Sequence, residues 1–245
     1  FEAILFDLDG TLLDIDMSEF IQYYSRAMGQ LAAEKGFGDP AQLVKLVDRC
    51  TWDMIRERNG ENTNLETFME KFLARWPYSD NQANDFFNEF YAARFPLLQQ
   101  HCRPFPGMRE MMAELCMHEQ KIVIATQAIF PIEPIQCRLN WAEVGDFPYE
   151  LVTSCEHMHY CKPAPEYYAE IAERIGVSPA NCLMVGNDID ADLPASALGM
   201  KTFLLEEHLI DRGNSSYQPD WRGKLADLYS FMKECHPGGQ SPYGE

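Results

Sequence analysis

Short apolar runs alternate with amphipathic stretches over most of the chain. Residues 3–6 form a β-prone apolar run that leads into the turn signal Asp9-Gly10. Comparable runs recur at 121–125, 149–153, 182–185 and 202–205, with helix-period patterns at 131–143, 163–175 and 190–198 between the later ones. This alternation predicts βαβ units, hence an α/β fold with a mostly parallel sheet and helices on both faces. In such sheets the chemistry gathers at the carboxyl ends of the strands.

Residues 15–100 break the rhythm: they carry helical periodicity and no convincing strand. Helices are expected at 18–34, at 40–58 with Asp39 as N-cap and Pro40 in the first turn, at 65–76 with Asn64 as N-cap, and at 81–95. The expected organisation is therefore an α/β core made of 1–14 and 101–245, interrupted by an all-helical cap at 15–100. Within 40–58, Lys45, Arg49, Trp52 and Arg56 fall on one stripe, read as a solvated face, while Leu43, Leu46, Val47, Cys50 and Met54 fall on the opposite, buried one. Met108, Met111, Met112 and Met117 have the spacing of core packing. The Gly- and Pro-rich tail 236–245 reads as loosely ordered.

Composition narrows the classes. The 245 residues are 46% apolar and 24% charged, the balance of a globular protein. Acidic residues number 38 against 20 basic ones, a formal charge of −18 that opposes nucleic acid and anionic lipid as partners. A small anionic substrate is not opposed, since it needs only a local set of donors or a bound cation. The eight cysteines form no C-x-x-C pair and read as free thiols of a reducing compartment. No apolar run approaches the ~18–20 residues of a membrane span, so a cytoplasmic location is expected. The chain begins on Phe1 rather than Met, which reads as one or a few residues missing ahead of it. Oligomeric state is left open.

The strongest chemical signal is Phe6-Asp7-Leu8-Asp9-Gly10-Thr11-Leu12 at the end of the first strand. Two carboxylates two residues apart at a strand–turn junction repel unless a cation lies between them or one holds a proton. A hard divalent ion, Mg2+ above all, suits such oxygen ligands. Further along, Thr126 follows one apolar run, Lys162 precedes the pattern at 163–175, and Gly186-Asn187-Asp188-x-x-x-Asp192 follows another run. All four segments fall along one rim of the expected sheet.

This order resembles the four motifs of the haloacid dehalogenase (HAD) superfamily, in the branch with a helical cap between the first and second motifs. The resemblance covers residues 3–205 and implies a Rossmann-like doubly wound core. It makes Asp7 the nucleophile that forms an aspartyl-phosphate, and Asp9 the general acid that protonates the leaving oxygen and then the base that activates water. Dehalogenase members lack the second aspartate, so Asp9 implies phosphoryl chemistry. Thr126 matches the hydroxyl that binds the transferring phosphoryl group, with Gln127 beside it where many relatives have Asn. Lys162 matches the lysine that steadies nucleophile and phosphoryl oxygens. Asn187 stands where the commonest fourth motif has an aspartate; the acid comes one residue later. Mg2+ is thus expected on Asp7, Asp9 and Asp188, with Asp192, Asn187, Gly10 and Thr11 supporting, and Asn187 as the other candidate ligand through its amide oxygen. The implied function is a Mg2+-dependent phosphatase acting on a small phosphorylated metabolite. A phosphomutase, a phosphonatase using a cap lysine (Lys35, Lys45 or Lys71), or a non-catalytic binding protein on the same scaffold are the alternatives.

Overall fold

The computed structural model describes residues 1–213 and 215–235; the tail 236–245, expected to be loosely ordered, lies outside them. In chain order the elements are β1 (Ala3–Phe6), β2 (Leu13–Asp14), α1 (Met17–Glu34), α2 (Pro40–Ile55), α3 (Asn64–Leu73), α4 (Asp80–Glu89), β3 (Arg103–Pro104), α5 (Met108–Leu115), β4 (Lys121–Ile124), α6 (Ile132–Trp141), β5 (Leu151–Val152), α7 (Pro165–Ile175), β6 (Cys182–Gly186), β7 (Lys201–Leu205), β8 (Trp221–Gly223) and α8 (Leu225–Cys235). Six strands form one parallel sheet in the order β5-β4-β1-β6-β7-β8.

The central strands are apolar at nearly every position because both faces are covered. Ile4, Phe6, Ile122, Ile124, Leu183 and Val185 share one buried cluster. Ala3, Leu5, Val123, Cys182 and Met184 share the other, with Tyr167, Tyr168, Ile171 and Ile175 of α7 packed on them. The period-two alternation of β1 thus sends odd positions toward α7. The ladder continues one step past β1, where the Asp7 amide donates to the Val185 carbonyl at 2.9 Å.

Between β2 and β3 the chain forms a helical layer. The two short strands pair antiparallel, Leu13 with Pro104 and Asp14 with Arg103, so the helical layer leaves and re-enters the core through one ribbon beside the β1 turn. Asp16 caps α1 and Asp39 caps α2 with Pro40 in its first turn. On α2, Leu43, Val47, Cys50 and Met54 are buried, Leu46 is partly so, and Trp52 is 50% exposed with the Arg56 guanidinium 5.6 Å from its ring centroid.

Four expectations need correction. The N-cap of α3 is Thr63, not Asn64: Thr63 and Glu66 form a reciprocal capping box, and Asn64 is buried in the first turn instead. Its side-chain amide donates to the carbonyls of Ala128 (3.0 Å) and Tyr160 (3.1 Å), and the backbone amides of Asn64 and Leu65 donate to Met158 and Cys155. The start of α3 is therefore tied to the loops beyond β4 and β5. The helix expected at 81–95 is regular only to Glu89, then widens into a π-turn over Phe90–Arg94 and tightens into a 3₁₀ segment over Phe95–His101. The helix expected at 190–198 is a 3₁₀ turn over Leu193–Leu198, because Asp192 is used elsewhere and Pro194 removes a donor. Met117 lies beyond the end of α5 and is 67% exposed, unlike Met108, Met111 and Met112. Strand β8 and helix α8 were not anticipated at all.

All eight cysteines are free. Among the described residues no helix is long and apolar enough to cross a membrane.

Candidate active site

The turn after β1 folds tightly on the Leu8 carbonyl, which accepts from the amides of Thr11, Leu12 and Leu13. Gly10 sits in it at φ +82°, and a Cβ there would come within 2.5 Å of the Asn187 side-chain nitrogen. Glycine thus admits the Asn187 amide against the bare backbone. That amide is oriented by its own donor, which reaches the His208 carbonyl at 2.6 Å and turns Oδ1 toward the Thr11 hydroxyl at 3.2 Å. Thr11 Oγ1 also lies 3.4 Å from Asp7 Oδ2. A hydroxyl has one proton to donate, so the oxygens of Asp7 and Asn187 converge on it with one donor between them.

Asp7 Oδ1 faces the other way, onto Lys162 Nζ at 2.8 Å, and the same ammonium is 2.6 Å from Asp192 Oδ1. Lys162 is 1% exposed. Burial alone would pull its pKa down, but the carboxylates of Asp192 and Asp7 more than reverse that and hold it well above the usual lysine value. Asp192 is pushed up by burial and by Asp7 while Lys162 opposes the rise; its geometry, 2.6 Å from an ammonium, is that of an ion pair. Its second oxygen accepts from the Asp188 amide at 2.9 Å. Asp192 packs against the bare Gly186 at the end of β6, where a Cβ would lie 2.1 Å from Asp192 Oδ2. Gly186→Ala must therefore displace Asp192. We expect a loss of about 1–3 kcal/mol in urea unfolding, the usual range for overpacking, with a fall in turnover alongside; a variant as stable as the wild type would contradict this placement.

Gln127 has a defined task. Its amide nitrogen donates to the Lys162 carbonyl (3.0 Å) and its oxygen accepts the Lys162 amide (2.9 Å), a two-point clamp on the backbone that carries the ammonium. The Lys162–Pro163 bond is cis. Thr126 is buried, and its carbonyl is fixed by Tyr167 Oη at 2.6 Å and Thr153 Oγ1 at 2.9 Å.

Asp9 is paired with Arg138 of α6, a residue sequence reading did not single out. Burial raises the Asp9 pKa; Arg138 opposes and Asp7 adds to the rise. The missed signal was available: Arg138 lies between Ile135 and Leu139 on the apolar face of its helix, and an arginine buried there needs a carboxylate.

The structure brings together Asp7, Thr11, Asn187, Lys162 and Asp192. It does not bring Asp188 to them. Asp188 is held bidentately by Arg212 at 2.7 and 3.0 Å, and its Oδ1 also accepts the amides of Asp190 and Ala191. With Asp9 on Arg138 and Asp188 on Arg212, no group of three or more His, Cys, Asp or Glu side chains is arranged to hold a metal among the described residues. The donor set that faces inward is Asp7 Oδ2 with the Asn187 amide oxygen, and Asp9 Oδ1 is buried without a partner. Asp7 Oδ2 and the Asn187 amide oxygen are hard oxygens of the kind that Mg2+ takes.

A cavity of about 560 Å3 lies between the helical layer and the core. Its walls include Tyr24, Val47, Phe68 and Phe87 on one side and Ile129 and Phe130 on the other. Among the described residues, the charged ones that line it are Asp48, Glu133 and Glu156; none is Lys or Arg, and Lys35, Lys45 and Lys71 do not line it. Phe130 links the cavity to the carboxylates, because the Arg138 guanidinium lies 4.6 Å from its ring centroid.

Residues 1–198 match the family model for haloacid dehalogenase-like hydrolases. The chain is 22% identical over 203 residues to hexitol phosphatase B of Escherichia coli K12, spanning 83% of this chain and 82% of that protein. It is 25% identical over 241 residues to pyrimidine 5'-nucleotidase PynA of Streptococcus pneumoniae, spanning 95% and 92%. The crystal structure of L-2-haloacid dehalogenase from Xanthobacter autotrophicus superposes with a TM-score of 0.56 at 18% identity, covering 95% of this chain and 98% of that one, a likeness of fold.

Proposed function

The chain belongs to the haloacid dehalogenase-like hydrolases, and on that premise we propose that it is a Mg2+-dependent phosphatase acting on a small phosphorylated molecule through an aspartyl-phosphate on Asp7. The observation that carries this reading is the division of labour in one carboxylate: Asp7 Oδ1 on the Lys162 ammonium at 2.8 Å, Asp7 Oδ2 on the Thr11 hydroxyl that Asn187 Oδ1 also approaches, with Asp9 two residues on. Oδ1 attacks phosphorus as the bond to the ester oxygen breaks, and Asp9 gives that oxygen its proton. Asp9 then takes a proton from water, which attacks phosphorus, releases phosphate and frees Asp7. Lys162 and Thr126 bind the phosphoryl oxygens, with Lys162 held in place by Gln127 and Asp192. Mg2+ would be held by Asp7 Oδ2 and Asn187 Oδ1 rather than Asp188, and supplies positive charge that offsets phosphate and nucleophile.

Residues 15–100 are read as the cap, and the cavity of about 560 Å3 beneath them as the place of the leaving group. The charges that line it among the described residues being carboxylates, it favours leaving groups that are uncharged or cationic over those bearing a further phosphate or carboxylate. Phosphate release from a panel of monoesters tests the reading: turnover with Mg2+, loss with EDTA, and preference for polyol or amino-alcohol phosphates over dianionic leaving groups are expected. No release from any ester would overturn the activity, and a preference for anionic leaving groups would overturn the placement in the cavity.

A further inference from the structure

We propose that Asn64, at the start of α3, is a positioning residue for Thr126 and Lys162, because its side-chain amide bridges the two core loops that carry them. The proposal rests on the reading of Thr126 and Lys162 as the groups that bind the phosphoryl oxygens.

Asn64 is 2% exposed, and burying a carboxamide is costly unless its polar atoms are bonded. The helix does not require it there, since Thr63 and Glu66 already satisfy the start of α3. The two protons on its Nδ2 go instead to two different loops, one to the Ala128 carbonyl at 3.0 Å and one to the Tyr160 carbonyl at 3.1 Å. Ala128 stands two residues after Thr126, and Tyr160 two residues before Lys162. Gln127 joins the same loops from within the core, through its bonds of 2.9 and 3.0 Å to the Lys162 backbone. Asn64 adds a second tie between them, supplied by the helical layer.

The surrounding contacts seat that tie. First-turn amides have no partner inside their own helix, and those of Asn64 and Leu65 donate at 2.8 Å to the carbonyls of Met158 and Cys155. Met54 and Ile55 of α2 form one buried cluster with Cys161, and Phe68 and Ile129 pack against it. Gly60, at φ +65°, lies so close to Tyr160 that a Cβ would come within 2.1 Å of its Oη. Residues 54–68 therefore grip both loops through backbone, side chain and apolar packing. Seating this part of the helical layer and spacing Thr126 from Lys162 become one event, and small displacements of binding groups weigh heavily on turnover.

The test is the inhibition constant of inorganic phosphate, the product common to every ester, measured with kcat/KM for a polyol phosphate and p-nitrophenyl phosphate on the full chain with Mg2+. Asn64→Ala is expected to raise the Ki of phosphate about tenfold, the low end for two lost hydrogen bonds, and to lower kcat/KM at least as much on both esters. Ki does not depend on the folded fraction, so a merely structural residue would leave it unchanged. Asn64→Ser keeps one donor and should give an intermediate Ki, which supplies the measurement if the alanine variant does not fold. Thr63→Ala removes the helix cap but not the bridge; it should lower the urea midpoint and leave Ki near wild type. A wild-type Ki in both Asn64 variants, or an equal rise in Thr63→Ala, would overturn the role of Asn64 alone. If the wild type hydrolyses no ester, the phosphatase reading falls, and this role with it.

Discussion

Replacing Asp7 by asparagine is expected to abolish turnover, by about 10⁴-fold or more, the scale on which loss of a covalent nucleophile is felt. The substitution is close to isosteric. Asparagine oxygen can still accept from Lys162 Nζ, which stands 2.8 Å from Asp7 Oδ1, so the local packing persists. What disappears is the anionic oxygen that bonds to phosphorus. The fold should be little affected: Lys162 retains Asp192 at 2.6 Å, and Asp192 loses a carboxylate neighbour that had been raising its pKa. Phosphate release together with a urea midpoint measures both effects, and acid-quenched samples of the variant should hold no phosphoenzyme. Activity within tenfold of wild type, in protein of unchanged stability, would exclude Asp7 as the nucleophile.

The parts of this site that were legible in the sequence are those where local pattern and local structure coincide. The apolar runs at 3–6, 121–125, 182–185 and 202–205 are central strands because burial on both faces demands unbroken apolar sequence, and the polar residues that end them fall on the carboxyl rim. What was not legible depends on contacts between distant segments. Asn64 has the look of an N-cap, but Thr63 and Glu66 satisfy the helix end and free Asn64 to bind the carbonyls of Ala128 and Tyr160. The task of Gln127 exists only because its amide meets the Lys162 backbone, 35 residues away. Strand β8 is three residues long with two of them exposed, too short and too polar for its pattern to stand out.

Charge shows the same division. The total of −18 gives no hint of how the crevice carboxylates are managed. One cation each from three separate segments does this: Lys162 between Asp7 and Asp192, Arg138 on Asp9, and Arg212 across Asp188 and Asp190. The crevice is therefore far less negative than its acids suggest, which suits a site that must receive a phosphate.

Of these three, Lys162 is buried most completely together with its partners, and Lys162→Met is expected to cost about 3–5 kcal/mol of stability as well as activity. Methionine fills a similar volume, so the loss is electrostatic rather than a cavity effect. Without the ammonium, Asp7 and Asp192 are left as buried carboxylates with no cation between them, and Asp192 is driven toward its protonated form. Asp192 is already raised above its ordinary 3.8 by burial, and removing Lys162, the principal influence that lowers it, raises it further. A carboxyl whose folded pKa lies above its unfolded value binds more protons in the native state across that interval, so stability falls as pH rises through it. The deficit of the variant relative to wild type should thus be smallest near pH 5 and grow toward pH 8, the native state being penalised from about pH 4 upward until the raised pKa is passed. Urea unfolding of both proteins at pH 5, 6.5 and 8 measures this. A deficit below about 1 kcal/mol that stays flat with pH would mean that Lys162 does not neutralise this pair, and would remove the physical basis for its place beside the nucleophile.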